Sequence, residues 1–216
     1  MKCSICKADC IKWGMSNAKQ RYRCKTCGKT ACKDYLYKAC CAETNHQIAV
    51  LLKEGCGIRS IARIMSISAV SVIRRILYIA SLIEKPPITK GRIYEADELK
   101  TYLGRKSNDQ WVIYAIDKES RRVVDFRVGK RNKQNLRPVI ETLLLSGARK
   151  ICTDKLNCYK VLIPKDIHHV KSYNINHIER KNLSLRTHLK RLARKTICYS
   201  KSLFMLTACL KIYFWL

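Results

Sequence analysis

The chain has 216 residues, of which 44 are Lys or Arg and 16 are Asp or Glu, giving a formal net charge of +28. An excess of this size predicts a polyanionic partner, because a protein that neutralises phosphates releases condensed counterions, and residues 1–90 and 91–216 share the excess. No apolar run reaches 18 residues and no signal peptide is recognisable, so we expect a cytoplasmic protein with reduced cysteines and no membrane span.

The first 33 residues contain two C-x2-C pairs separated by 17 residues, formed by Cys3, Cys6, Cys24 and Cys27. This spacing is typical of one tetrahedral zinc ion, with two thiolates supplied by each tight turn. Four thiolates close the coordination shell, so we predict a zinc finger over residues 1–33 with a structural Zn²⁺. Cys10 and Cys32 are competing candidate ligands.

The predicted finger is basic, and its bases alternate with an aromatic side chain at Tyr22. Such a surface suits a DNA backbone, and we predict DNA contacts for Arg21 and Arg23. Residues 34–43 are interpreted as a connector with no assigned function.

Residues 44–83 predict three short helices. Thr44 or Asn45 is expected to cap the first, the second covers residues 57–65, and Ser68 is expected to cap the third. Two short helices joined by a tight turn favour a helix-turn-helix module whose last helix enters the major groove, with a plain structural bundle as the alternative. The inward side chains of the last helix are predicted to be Val72, Ile73, Ile76 and Leu77, and its DNA contacts to be Ala69, Ser71, Arg74 and Arg75.

Residues 84–90 contain Pro86-Pro87 and predict a stiff linker, so residues 91–216 are interpreted as a second domain. Apolar patterning predicts three consecutive strands, then a helix capped by Asn135, a fourth strand, a short helix at Tyr159, a fifth strand and a long helix. Strands are expected over 93–103, 111–116, 123–128, 151–153 and 167–170. This order predicts a mixed α/β, ribonuclease-H-like domain with a five-stranded mixed sheet.

Two acids of this domain stand out. Asp154 follows a buried strand, at the edge where α/β sheets bind ligands. Glu179 adjoins the apolar face of the long helix, which is formed by Ile175, Ile178, Asn182, Leu185 and Leu189. On such a fold these two acids converge with one from the middle of the first strand, and three carboxylates suit hard divalent cations. The alternative for Glu179 is an exposed ion pair with Arg180 or Lys181.

Several runs carry a family resemblance: Cys3 with Cys6, residues 20–30, residues 57–65, Glu95-Ala96-Asp97-Glu98, Gly104-Arg105-Lys106, Trp111, Tyr114-Ala115, Asp117, Thr153-Asp154 with Tyr159, and residues 178–195. These runs resemble transposases of the insertion-sequence-one family over nearly the whole chain. The resemblance implies a DDE transposase that cuts and joins DNA with Mg²⁺ or Mn²⁺. Its triad would be Asp97, Asp154 and Glu179, with Arg186 as a basic helper.

The same resemblance implies terminal inverted repeats and target DNA as partners, a homo-oligomer on DNA and association with the nucleoid. DNA contacts beside the triad are expected for Arg180, Lys190, Arg191 and Arg194. The chain departs from the family at Ala31, where an aromatic residue is usual, and at Lys155, which is placed to compete with a metal for Asp154.

Three hypotheses stay open: a transposase, a DNA-binding regulator with an inert second domain, and a nuclease or resolvase of similar fold. The presence of all three acids favours the first over the second. Strand joining separates the first from the third, because a nuclease cuts without joining.

Overall fold

The structure is a computed structural model that describes residues 1–16, 18–32, 39, 42–170 and 175–216. These residues form two compact units, Met1–Thr44 and Asn45–Leu216. Most of the predicted connector 34–43 and the start of the predicted long helix, Tyr173 and Asn174, lie outside the described residues.

The first unit is a three-stranded antiparallel sheet with the order β1-β2-β3, formed by Cys10–Ser16 (β1), Lys19–Cys24 (β2) and Thr30–Cys32 (β3). Two turns of the same design precede β1 and follow β2. The Lys7 amide donates to the Cys3 carbonyl and the Gly28 amide to the Cys24 carbonyl, both at 3.1 Å. Lys7 and Gly28 both have positive φ, which a tight return of the chain requires.

Three helices follow: Ala42–Lys53 (α1), which crosses the boundary between the two units, Ile58–Met65 (α2) and Ala69–Leu82 (α3). The predicted cap of α3 is present, since the Ser68 hydroxyl accepts from the Ser71 amide at 3.1 Å. The predicted cap of α1 is wrong, because the helix already begins before Thr44 and Asn45. Within the described residues no single helix is long and apolar enough to cross a membrane; α2 and α3 reach that length only as a pair bent by 108°.

The face that α3 buries also differs from the prediction. Val72 and Ile76 are buried as expected, but Leu77 is 39% exposed and Ile79 is buried instead. Positions 72, 76 and 79 follow the spacing of four and three along one helical face, and position 77 falls beside it.

A mixed five-stranded sheet with the order β6-β5-β4-β7-β8 is the centre of the second unit. Its strands are Ile93–Tyr102 (β4), Asp109–Asp117 (β5), Val123–Gly129 (β6), Lys150–Thr153 (β7) and His168–Val170 (β8). Strands β4, β5 and β6 pair antiparallel, whereas β7 runs parallel to β4 and β8 parallel to β7. The mixed α/β class and the five-stranded mixed sheet are therefore confirmed, in the element order predicted for a ribonuclease-H-like domain.

Helices cover both faces of this sheet: Lys133–Leu145 (α4), Asn157–Leu162 (α5), Asn176–His188 (α6) and Leu203–Trp215 (α7). One core contains Tyr114 and Ile178, and the other contains Ile113 and Tyr159. Because neighbouring residues of β5 enter opposite cores, the strand is apolar throughout. The predicted cap of α4 is wrong: Asn132, not Asn135, caps it by accepting from the Asn135 amide at 3.0 Å.

The three first helices and the sheet belong to one compact unit. Helix α3 ends on α7, where the Lys211 ammonium donates to the carbonyls of Ala80 and Ile83 at 3.0 and 2.7 Å. The turn after α1 approaches the end of α6 so closely that a Cβ on Gly55 would lie 2.5 Å from the His188 carbonyl oxygen. The structural division therefore falls near residue 44 and not at 84–90, while the functional boundaries predicted from sequence stay a prediction.

Candidate functional site

The register between β4 and β7 creates the site. Residues 93, 94 and 95 of β4 pair in parallel with residues 150, 151 and 152 of β7. Because β7 ends at Thr153, Asp154 leaves the sheet beside Asp97 of the continuing β4. Carboxylate oxygens of Asp97, Glu98 and Asp154 all lie within 4.8 Å of one another.

Asp97 is oriented by neighbours on three elements. Its Oδ1 accepts from the Glu98 amide at 2.8 Å, and its Oδ2 accepts from Asn182 Nδ2 of α6 at 2.6 Å. The Tyr114 hydroxyl of β5 in turn donates to Asn182 Oδ1 at 2.8 Å. Burial raises the pKa of Asp97, and the charges of Asp154 and Glu179 raise it further. The orientation of this carboxylate is thus fixed, and a nearby cation would stabilise its charged form.

Glu98 is the site residue that sequence reasoning missed. Successive strand residues point to opposite faces, so Glu98 faces the core of α4 and α5, and its side chain is 0% exposed. Burial raises the pKa of Glu98, and the charge of Arg131 partly offsets this rise. Within the described residues, neither Glu98 Oε1 nor the Tyr159 hydroxyl has a partner with hydrogen-bond geometry. The sequence feature that could have indicated Glu98 is the presence of three acids, Glu95, Asp97 and Glu98, within four residues of one strand.

Arg131 is the second residue that sequence reasoning missed. Its Nη2 lies 3.0 Å from Glu98 Oε2 and 3.4 Å from Asp154 Oδ2, and its guanidinium lies 4.7 Å from the centre of the Trp111 ring. Lys155, which was expected to compete for Asp154, is exposed and forms no ion pair with it in the described part of the chain. No local sequence pattern connects residue 131 with residue 154.

Helix α6 carries Glu179 and is fixed by a residue of another element. Its N-cap, Ile175, provides no side-chain hydrogen bond. Instead the fully buried Glu95 of β4 accepts from the Ile178 amide at 2.9 Å, which satisfies a free donor at the positive end of the helix. The apolar face is buried as predicted, at Ile175, Ile178, Leu185 and Leu189.

Glu179 itself is exposed and lies outside the group of three carboxylates. Its charge nevertheless raises the pKa of Asp97. The guanidinium of Arg186 is bound to main-chain carbonyls, at 2.9 Å to Leu192 and 3.5 Å to Lys100.

The other residues predicted to contact DNA are spread over the surface. Arg23, Arg74, Arg180, Lys190 and Arg194 are exposed, and Arg21, Ser71 and Arg75 are half-buried. Arg191 is only 9% exposed and donates to the Ser200 hydroxyl at 2.7 Å, in the segment after a short 3-10 helix at Lys190–Leu192. A phosphate therefore has access to the exposed bases rather than to Arg191.

The donor set at β4 and β7 fits a hard divalent cation. It offers carboxylate oxygens from three residues, which Mg²⁺ and Mn²⁺ prefer, and it lacks soft donors. The carboxylates of Asp97, Glu98 and Asp154 are the groups that would hold such an ion.

The first unit contains a second candidate metal site. The thiols of Cys3, Cys6, Cys24 and Cys27 all lie within 4.8 Å of one another, with Sγ–Sγ distances of 3.6 Å for Cys3 and Cys27 and 3.3 Å for Cys6 and Cys24. A tetrahedron with Zn–S bonds of about 2.3 Å needs edges of about 3.8 Å. Main-chain amides lower the pKa of Cys3 and lower that of Cys24 to about 6, which favours thiolates there, whereas the neighbouring thiols raise the pKa of Cys6 and Cys27. The four cysteines fit zinc.

Comparison with known proteins gives consistent matches for the second unit. A family model described as IS1 transposase matches residues 92–214. The insertion element iso-IS1n protein InsB of Shigella dysenteriae is 36% identical over 110 residues, covering 51% of this chain and 84% of the relative. The insertion element IS1 protein InsB of Shigella flexneri is 35% identical over 108 residues, covering 50% and 82%.

Among solved structures, the catalytic core domain of the HTLV-2 integrase in complex with magnesium aligns with a TM-score of 0.38 and 13% identity, covering 59% of this chain and 86% of that one. At this TM-score the alignment adds nothing to the topology described above.

We expect the metal-free protein to become more stable at neutral pH when Glu98 is replaced by Gln. Burial raises the pKa of Glu98 in the folded state, so the free energy of unfolding falls as pH rises from the ordinary glutamate pKa through the raised value. Glu98→Gln removes this fall, and its amide suits both Arg131 and Tyr159. Urea unfolding at pH 5 and pH 8 with a chelator measures the effect.

The matched control is Glu141→Gln, which neutralises an exposed carboxylate on α4 and should leave the pH dependence of stability unchanged. A Glu98→Gln protein that is less stable than the wild type at pH 8 would contradict the expectation.

Zinc content tests the cysteine cluster. Cys24→Ser should lower bound zinc from about one ion per chain towards zero and unfold the finger, because so small a unit gains its folding free energy from the metal. Cys10→Ser, which changes a cysteine of β1 outside the cluster, should keep the zinc. Elemental analysis of the purified proteins decides between them. Loss of zinc in Cys10→Ser alone would contradict the ligand set.

Proposed function

Because the chain belongs to the IS1 transposase family, we propose that it is a DNA transposase of the DDE type that cuts and joins strands at the terminal inverted repeats of its element. The observation that supports this most is the approach of Asp97 and Asp154 at the carboxyl end of β7, with the charge of Glu179 acting on Asp97. Two acids that meet at one sheet edge, with a third on a helix whose charge acts on Asp97, suit metal-assisted phosphoryl transfer.

Each acid has its own task in this proposal. Asp97 and Asp154 would hold one divalent cation, Mg²⁺ or Mn²⁺, and Glu179 would complete the site for a second. When bound, such ions activate the attacking oxygen and neutralise charge on the leaving oxygen.

The protein contributes orientation. Asn182 and Tyr114 keep Asp97 directed into the site, and Glu95 sets the position of the helix that carries Glu179. Arg186, bound to two main-chain carbonyls, fixes the far end of this helix to β4 and to the segment after it.

The three first helices are proposed to read the DNA ends. Helices α2 and α3 cross at 108° and are joined by a turn at residues 66–68, which is typical of helix-turn-helix modules. Arg74 is exposed on α3, and the Arg75 guanidinium lies 5.7 Å from the centre of the Tyr78 ring. Because these helices belong to the same compact unit as the sheet, DNA bound by α3 would be held at a fixed place relative to the carboxylates.

The zinc finger is proposed to add phosphate contacts through Arg21 and Arg23. Arg23 is presented by stacking, since its guanidinium lies 4.6 Å from the centre of the Trp13 ring. Assembly of two or more chains on paired element ends completes the proposal, because strand transfer joins two ends to one target.

Glu179→Gln tests the catalytic assignment. An exposed ion pair is worth only about 0–1 kcal/mol, so as a surface residue Glu179 could be replaced without effect. As a metal ligand, its loss should stop Mg²⁺-dependent strand joining while gel-shift affinity for terminal-repeat DNA persists or rises slightly. Folding should survive because apolar contacts and Glu95 hold α6.

Asp166→Asn, which neutralises an exposed acid, serves as the control. Joining at the wild-type rate by Glu179→Gln would refute the assignment. Binding with no joining by the wild type would favour a regulator, and cutting with no joining would favour a nuclease.

Double replacement of Arg74 and Arg75 by Ala tests whether α3 contacts DNA. If both side chains contact phosphates, the slope of log affinity against log salt should fall by up to about two units. The control replaces Arg149 and Lys150, two exposed bases at the amino end of β7, opposite the carboxylates. Equal losses in both variants would show a general charge effect and not a contact of α3.

A further inference from the structure

We propose that Arg131 is the built-in counter-charge of the carboxylate cluster and competes with a divalent cation for Asp154. The inference rests on the proposed metal site, but it concerns a residue outside the predicted triad. It makes Arg131 a positioning residue that sets the metal concentration at which the site fills.

Arg131 contacts both the carboxylate cluster and an aromatic ring. Its guanidinium contacts the fully buried carboxylate of Glu98 at 3.0 Å and the one-third exposed carboxylate of Asp154 at 3.4 Å. The Trp111 ring supports it at 4.7 Å. Among the cations of the described residues, Arg131 alone forms ion pairs with this cluster.

Arg131 reaches the cluster from a backbone that cannot easily move. Gly129 packs so tightly that an added Cβ would meet the Asn135 side chain at 2.6 Å. Asn135 Nδ2 donates to the Lys130 carbonyl at 2.9 Å, and the Lys130 ammonium donates to the Asp109 carbonyl at 2.8 Å. The Asn132 side chain then caps α4. The turn between β6 and α4 therefore fixes the origin of the Arg131 side chain on both sides.

Electrostatic repulsion prevents Arg131 and a divalent cation from contacting Asp154 at the same time. Three carboxylates within 4.8 Å repel one another, and Arg131 offsets part of this repulsion. A divalent cation would satisfy the same oxygens more fully but would be repelled by a guanidinium at Asp154. The longer contact, to Asp154, is the one that gives way, while the shorter contact to Glu98 and the Trp111 ring keep Arg131 at the edge of the site. Removing the Arg131 charge should therefore strengthen metal binding.

The test measures Mn²⁺ binding to the zinc-loaded full chain without DNA, by the electron paramagnetic resonance signal of free Mn²⁺. Two neutral variants of different shape are used, Arg131→Gln and Arg131→Met, the second of which keeps an apolar chain against Trp111. Both should bind Mn²⁺ about tenfold more tightly than the wild type, as expected when one charge close to a cation is removed.

Arg127→Gln is the matched control, because it removes an exposed arginine of β6 that contacts Asn135 at 3.3 Å and no carboxylate among the described residues. It should change Mn²⁺ affinity by less than about twofold. An equal rise in the Arg127 variant would overturn the proposal in favour of net charge. If an Arg131 variant folds but binds Mn²⁺ no more tightly than the wild type, the proposal is wrong. Arg131 would then only stabilise the structure of the site.

Strand joining separates this inference from the proposed function. If the wild type binds Mn²⁺ and joins strands but the Arg131 variants bind with wild-type affinity, only the inference fails. If neither the wild type nor the variants bind Mn²⁺, both the metal role of the carboxylates and the inference fail.

Discussion

The short parallel pairing of β7 with the start of β4 is the constraint on which the site depends. The pairing covers only residues 93–95 and 150–152, while β4 continues to Tyr102. The edge of β4 beyond residue 95 is thus open where β7 ends, and acids from both faces of β4 can reach the same space as Asp154.

A buried carboxylate lowers the stability of a fold unless it is paired, and in this chain each buried carboxylate has a specific partner. Glu95 satisfies a helix terminus, Asp97 accepts from Asn182, and Glu98 is paired with Arg131. Burial nevertheless raises the pKa of both Asp97 and Glu98. In the proposed enzyme this cost to stability would be offset when the carboxylates bind a cation.

The arrangement of the helices links recognition with chemistry in the proposed transposase. Helix α3 is held against α7 by Lys211, and the turn at Gly55 contacts the end of the helix that carries Glu179. Nothing flexible therefore needs to separate the proposed DNA-reading helices from the carboxylates. The first unit, Met1–Thr44, would add DNA contacts through Arg21 and Arg23 on its own surface.

The sequence by itself determined the local structure, because apolar periodicity and turn residues act over a few positions. It located the strands of the sheet to within two or three residues, the Ser68 cap, the buried face of α6 and the four-cysteine spacing. The likeness of its motifs also indicated the family and selected Asp97, Asp154 and Glu179. The predicted caps of α1 and α4 were wrong, because several neighbouring polar residues could begin each helix and the local pattern does not choose between them.

Only the tertiary structure decided which charges meet. Arg131 and Asp154 are 23 residues apart and lie on different connections, so no periodicity relates them. Glu98 lies on the face of β4 opposite Asp97, yet the edge beside β7 brings both carboxylates together. The cap that Glu95 provides to α6 spans 83 residues. These pairings follow from the strand order, which brings distant segments into contact and which no local pattern encodes.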